Sequence, residues 1–433
     1  MNAWALDIRR LAAVMLTLYL APWILSLFLS RTPPREIGKR FIVTTLTLIA
    51  LLGFLEAPAW LRLVDYRQVF STPGFPFWWN RPGYVTDPEL LWVPEPHHRL
   101  RGRFTRGDIG EFLCLPPHPP EEFDLRYDAH GFRNDTDQAA ADIAVIGDSF
   151  VESPMLPTPV LMTSLLGVFQ KSTVVNLGLS GYGPRQELVA LKRYALPLHP
   201  NTIVWMFYEG NDLEDVQAYD ATVPNAEQFV HTHWERSFTR NALWGIIRVV
   251  ERRQCTPRSE LAQHYGTVLE ADGARKRIYF MDAGFPLSPQ QLEALRKAQG
   301  ILGEAYRLCR EKNIRLVVVF APIEYRVYEG LANFVDRSEA VKGWIVNDLP
   351  ERLGRMIAEI SGDIAYLDLT PAFKAHAERD TPIFLPDDMH WSPNGHRIAA
   401  EALHHLLSSD SVHDDYRAYR PRSSSAPRQL SGK

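Results

Sequence analysis

Four short segments carry residue types that can move an acyl group, although they lie far apart in the chain. Gly147-Asp148-Ser149-Phe150 follows an apolar run and sets a hydroxyl where the chain changes direction. A helix starting there would aim its free amides and dipole at a developing anion, which makes Ser149 a candidate nucleophile. Alone, the same serine could equally be an N-cap. Asn176 to Gly183 holds three glycines, Gly178, Gly181 and Gly183, which permit positive φ and close approach of a backbone N–H to a ligand; turn-making would also explain them. Glu209-Gly210-Asn211-Asp212 offers a neutral amide donor to an oxyanion at Asn211, or an Asx-turn. In Asp387-Asp388-Met389-His390, three-residue spacing predicts that Asp387 and His390 share one side of a helical turn. The Asp387 carboxylate would then orient the imidazole through Nδ1 and leave Nε2 for a serine hydroxyl. Asp388 is expected to turn its side chain away from His390.

Side chains this far apart meet only if a fold collects them. Ile143 to Ile146, Val174 to Leu177, Thr202 to Phe207, Ile314 to Phe320 and Ile364 to Leu369 are near-continuous apolar runs, as in strands buried on both faces. Helical patterns fall between them, at Pro184 to Leu196, Pro289 to Lys312 and Val341 to Ile360. The alternation predicts an α/β fold, a doubly wound three-layer sandwich on a five-stranded parallel sheet, whose carboxyl-end loops share one edge. All four segments follow such strands. Residues 213–287 are too many for a simple crossover and read as an insertion with its own helix around Arg240 to Arg252.

The N-terminus is of another kind. Leu11 to Ser30 is uncharged for 20 residues, about 30 Å as a helix, and no small-x-small cleavage site follows it. Phe41 to Leu55 is also uncharged and reaches spanning length by residue 61 if Glu56 is tolerated near the interface. Two transmembrane helices, about 11–30 and 41–61, are therefore expected within an anchor of residues 1–65. Arg31, Arg35, Lys39 and Arg40 lie between them, which puts that loop in the cytoplasm and the rest of the chain outside it. Residues 66–140, rich in Pro and aromatics, read as a connecting module, with a hairpin turning at His130-Gly131 within Tyr127 to Arg133; Trp78 and Trp79 are expected to pack against the next domain. The catalytic domain spans 141–408, and 409–433 reads as a disordered basic tail.

Among 433 residues, 47 Lys plus Arg against 51 Asp plus Glu give a formal charge of -4, so no basic field points to nucleic acid. Three cysteines exclude a disulfide scaffold and allow at most one bridge, with Cys114 and Cys255 as one candidate pair. His97-His98, His231-x-His233 and His404-His405 lack a matching carboxylate or cysteine set at ligand spacing, so neither metal nor other cofactor is expected.

The four segments, in this order from about Asp142 to Leu407, resemble the SGNH (GDSL-type) hydrolase family, and with the anchor and the Tyr127 to Arg133 segment its membrane-anchored bacterial members. The resemblance implies a flavodoxin-like sheet, a catalytic triad of Ser149, Asp387 and His390, and an oxyanion hole of Ser149, Gly181 and Asn211. It implies an esterase or deacetylase with a serine nucleophile and an acyl-serine intermediate, acting on an ester of an envelope glycan or lipid. Transfer of the acyl group to a polysaccharide hydroxyl by the same triad is the alternative, and a catalytically silent glycan-binding protein is a third reading. Two departures stand out. Pro154, Pro157 and Pro159 would interrupt a long helix after Ser149. Glu209 stands where many relatives have glycine, and would either repel an anionic substrate or pair with a local cation.

Overall fold

The computed structural model describes residues 2–64, 66–70, 84–222, 236–253, 257, 259–270, 272–379 and 382–408. Its chain divides into two compact units, one of residues 1–93 with 226–256, the other of 94–225 with 257–433.

The second unit is built on five parallel strands: β1 (Ile143–Gly147), β2 (Val174–Gly178), β3 (Thr202–Tyr208), β4 (Arg315–Ala321) and β5 (Ala365–Asp368). Their order is β2-β1-β3-β4-β5, the flavodoxin-like order. Ile143 lies opposite Val174 on one side and Thr202 on the other, and Arg315 opposite Thr202. Because side chains alternate along a strand, one face carries Val145, Val204, Met206, Val317 and Val319, packed in one core with Met162, Leu166, Phe373, Ile398 and Leu403 of the covering helices. The other face carries Ala144, Ile146, Ile203, Trp205 and Phe207, equally buried. Both faces are covered, which is why all five runs read as continuous rather than alternating hydrophobics.

Helices Met162–Gln170 and Pro393–Ser408 pack together, and helix Pro289–Glu311 packs on Asp212–Thr222, Pro184–Ala190 and Leu349–Ile360. Two expected helices differ in detail. Val341 to Ile360 is broken into Glu339–Lys342 and Leu349–Ile360, with Gly343 closing the first and Pro350 opening the second. Pro184 to Leu196 is α-helical only through Ala190 and continues as a wider turn over Leu191–Ala195. The prolines after Ser149 act as expected: the helix Ser149–Glu152 ends at Ser153 with φ 47°, and the long helix begins only at Met162.

The 213–287 segment contributes a hairpin, Tyr265–Leu269 with Arg275–Tyr279, joined by Phe334–Arg337 into a three-stranded antiparallel sheet. Arg99–Phe104 pairs antiparallel with Glu121–Arg126. The hairpin expected at Tyr127 to Arg133 is instead a single tight turn, closed by Asp128 N–H to Phe132 O at 2.8 Å, with Gly131 at φ 81°. Asp128 consumes the donors that a second strand would need, accepting from His130 N and Phe132 N. Cys309 is a buried free thiol and Cys114 is disulfide-bonded. Cys255, His231, His233, Trp78, Trp79 and the tail 409–433 lie outside the described residues.

The first unit holds helices Asn2–Leu29, Pro34–Trp60, Tyr66–Phe70 and Phe238–Arg253, the last the helix expected inside the insertion. Among the described residues one helix, Pro34–Trp60, is long and apolar enough to cross a membrane by length and composition; Met15–Leu29 is apolar but shorter. Of the expected pair of spans, the second thus has a candidate in Pro34–Trp60, and the first falls on the helix Asn2–Leu29. Phe54 and Val43 on Pro34–Trp60 are exposed, as a lipid-facing surface would be. Glu56, the one acid of the second apolar run, has a local reason to be there. Its carboxylate accepts from Ser237 Oγ at 2.9 Å, Phe238 N at 3.1 Å and Thr239 N at 2.7 Å, and so caps the positive end of Phe238–Arg253.

Candidate active site

β1 ends at Gly147, and Asp148 caps the short helix behind it, accepting from Phe150 N at 2.9 Å. Ser149 is the first residue of that helix, so its N–H has no acceptor within it. The Ser149 hydroxyl is 2.8 Å from His390 Nε2. His390 comes from the loop beyond β5, and the strand order brings both to the carboxyl edge of the sheet, where ligands bind in open α/β folds.

The carboxylate on the imidazole is Asp388, not Asp387. Asp388 Oδ1 lies 2.5 Å from His390 Nδ1 and also accepts the His390 backbone N–H at 2.8 Å. The expectation for Asp387 assumed helical spacing, but 386–390 is a run of turns, with Asp388 N–H reaching Leu385 O at 3.4 Å. In such a turn the carboxylate folds back onto the residue two positions on, an Asx arrangement that brings it beneath its own histidine ring. Asp387 is bonded to the neighbouring turn instead of the imidazole: its Oδ2 accepts from Gly107 N at 2.9 Å, and its carbonyl accepts from Gly110 N at 3.0 Å. A side-chain carbon at Gly107 would run into that carbonyl, so the segment 107–110 has to be glycine-rich for the loop to seat. Asp388 Oδ2 is held by Asp108 N at 2.9 Å, which fixes the carboxylate behind the histidine ring.

Burial by itself would lower the His390 pKa, but the Asp388 charge and hydrogen bond, with Asp108 and Asp148 farther out, outweigh it and push it up to about 9. Asp388 is correspondingly lowered: burial opposes, and the imidazolium and the three hydrogen bonds to its oxygens win. The ring is fixed in plane by Phe150, whose centroid is 5.0 Å away and which also packs on Trp391 at 5.2 Å and Tyr208 at 4.1 Å.

The two other loops issue from the strands flanking β1. Gly147 is the register partner of Gly178, and Ile146 of Trp205. Gly181 sits at φ 80°, the left-handed region that favours glycine, and its N–H donates to no described backbone carbonyl. Asn211 caps Asp212–Thr222 through its carbonyl, to Asp215 N at 2.8 Å, while its buried Oδ1 has no partner. Glu209 does not confront the cleft. It forms a buried bidentate pair with Arg326, at 2.7 Å to Nε and 2.5 Å to Nη2, and accepts Ile323 N at 3.0 Å. The pair with a local cation is therefore the arrangement the chain adopts, and it ties the β3 loop to the β4 loop.

Beneath these turns lies a set of buried acids that spacing did not reveal. Asp148 is raised to about 6, chiefly by burial, and Asp215 to about 8, by burial and then the Asp148 charge. Glu187 and Asp212 are raised well above the ordinary carboxylate range, by burial first and then by nearby charges, Asp148 for Glu187 and Glu187 with Asp148 for Asp212. His396, close in sequence to His390, belongs to the scaffold instead. Its Nδ1 accepts Met162 N at 3.1 Å, so Nε2 carries the proton and donates to Ser153 Oγ at 2.9 Å, and burial lowers its pKa to about 3. Among the described residues Asp108, Asp388 and His390 bring ligand-type atoms within 4.8 Å of one another. A cation there would have to displace the Asp388–His390 hydrogen bond.

A family model described as "SGNH hydrolase-like domain, acetyltransferase AlgX" matches residues 279–427. The matched part holds Asp388 and His390 but not Ser149, Gly181 or Asn211. No curated protein sequence matches the chain. Similar solved structures include a protein described as lipolytic, of the G-D-S-L family, from Desulfitobacterium hafniense, at 14% identity and TM-score 0.33, covering 61% of this chain and 98% of that one. Another is a catalytic mutant of an acetylxylan esterase from Geobacillus stearothermophilus, at 12% identity and TM-score 0.33, covering 63% and 96%.

Proposed function

We propose that the chain carries an SGNH-type hydrolase domain acting on ester bonds, a reading that the family match over residues 279–427 supports, and that it is a membrane-anchored serine esterase or deacetylase working on an ester of an envelope glycan or lipid. One observation carries the reading: the Ser149 hydroxyl lies 2.8 Å from an imidazole that a buried carboxylate holds from behind. His390 takes the Ser149 proton as Oγ attacks the ester carbonyl, and Asp388 holds the ring and stabilises its charged form. The amides of Ser149 and Gly181 and the Asn211 side chain receive the tetrahedral oxyanion, each such donor being worth roughly 3 kcal/mol of barrier. His390 then returns the proton to the departing alcohol, which leaves an acyl-Ser149 ester. Water, deprotonated by His390, releases the acid.

The same acyl-serine can be opened by a sugar hydroxyl, giving O-acyl transfer. The description of the matching family model as an acetyltransferase favours weighing this second reading. Full-length protein in lipid, given an aryl acetate with and without an oligosaccharide, separates the two. Free acetate in unchanged yield when the sugar is added supports hydrolysis; acetylated sugar formed at the expense of acetate supports transfer; no aryl alcohol released in either case removes both.

For the anchor we take Pro34–Trp60. Arg31, Arg35, Lys39 and Arg40 crowd its amino end, so the positive-inside rule puts that end in the cytoplasm and the catalytic domain outside. Protease added to intact spheroplasts is expected to digest the catalytic domain, and full protection of that domain would reverse the orientation.

A further inference from the structure

The Glu152 carboxylate is wholly buried, and the mechanism above does not use it. It closes the helix that Ser149 opens, so the two are on one short rigid element. Its Oε1 accepts from Tyr127 Oη at 2.6 Å. Its Oε2 accepts both from Ser180 N at 2.7 Å and from Ser180 Oγ at 2.5 Å. Ser180 is the residue before Gly181. Behind the same helix, the buried Arg133 guanidinium donates to the carbonyls of Glu152, Ser153 and Leu156, so the end of the element is also fixed.

We infer that Glu152 is a positioning residue that sets the Gly181 N–H against Ser149, using the Tyr127 to Arg133 turn as its brace. Like the proposed function, this rests on reading Ser149 as nucleophile and Gly181 as oxyanion donor. The chemistry of the partners selects the side chain. Among the described partners, Tyr127 Oη, Ser180 N and Ser180 Oγ all donate, which suits a carboxylate that can accept on both oxygens. With Ser180 held at its nitrogen and its hydroxyl, the peptide leading into Gly181 loses most of its freedom, and Gly181 at φ 80° completes the turn. The tolerance is narrow, because an oxyanion donor displaced by about 1 Å can cost on the order of a hundredfold in rate.

Glu152→Gln keeps the shape but places an NH2 against one of the donors. Full-length protein is assayed on an aryl acetate, beside Ser149→Ala. In Glu152→Gln, kcat is expected to fall about ten- to hundredfold with KM within about twofold. Affinity for a trifluoromethyl ketone, whose adduct mimics the oxyanion, is expected to fall by the same factor. A purely structural acid would lower the yield of folded protein without that split. Wild-type kcat, or a raised KM at unchanged kcat, overturns the inference while an inactive Ser149→Ala leaves the mechanism standing; an active Ser149→Ala overturns the mechanism itself. If Glu152→Gln does not fold, Ser180→Ala carries the test, since it removes one of the two bonds to the loop and keeps the N–H. It should lower kcat about three- to tenfold at unchanged KM, and wild-type kcat in that variant overturns the inference.

Discussion

Ser149→Ala is expected to lower kcat for ester cleavage by about 10⁴-fold or more and to leave substrate affinity nearly unchanged. The hydroxyl is placed to become covalently bound, with His390 Nε2 2.8 Å away to take its proton. Whatever rate survives would come from the oxyanion donors and from binding, which remain in the variant. The substitution removes one oxygen from a half-buried position at a helix start, so folding should be little changed. Active-site titration with a fluorophosphonate checks the same claim independently: wild-type protein should take up one label and Ser149→Ala none. Turnover of the variant within tenfold of wild type would require a different nucleophile.

Asp388→Asn is the second large effect, with kcat expected to fall by about 10⁴-fold while Asp387→Asn stays within about tenfold of wild type. An asparagine at 388 can present its NH2 to the imidazole and impose the wrong tautomer, whereas the Asp387 carboxylate accepts from Gly107 N and makes no hydrogen bond to the ring among the described residues. The reverse ranking of the two variants would restore the assignment that spacing suggests. A change of pH profile should accompany the loss. His390 must be neutral to act as a base, and with its pKa pushed up to about 9 the active fraction rises with pH until about 9 and then levels. Removing the Asp388 charge removes the cause of that rise, so the ascending limb of kcat/KM in Asp388→Asn should move to lower pH. The sign for stability is the opposite. A raised histidine pKa stabilises the fold fully below the ordinary value of 6.5, and that contribution is lost as pH rises through about 9.

The candidate site is unequally legible in the sequence. Ser149, Gly181 and Asn211 stand out as candidates because each lies two or three residues beyond a strand that announces itself by an unbroken apolar run, and loop chemistry beside a strand end can be read in order along the chain. His390 follows the last such run. The partner of His390 does not follow from helical spacing because the chain makes turns there; Asp-x-His, the Asx spacing, is the signal that the sequence holds. Glu209 has two roles open to it in the sequence because its partner Arg326 lies more than a hundred positions away. Glu152 gave no signal, since a glutamate inside a short helix looks like a solvated one until Ser180 and Tyr127 are seen to meet it.

What the sequence alone determined is whatever depends on neighbours along the chain. That includes five strands from five apolar runs, prolines that end the helix after Ser149, glycine at the positive-φ corner, and an apolar helix with cations at its amino end. Burial on both faces leaves a local mark, so the sheet could be counted before it was seen. What only the tertiary structure decided is every pairing across the fold: Asp388 under His390 with Asp108 behind it, Glu152 between two loops, Glu209 on Arg326, and Glu56 on the helix of the insertion. Charges and hydrogen bonds act over a few ångströms with no dependence on sequence separation. Their partners are therefore chosen by packing, and the residue types alone leave several choices open.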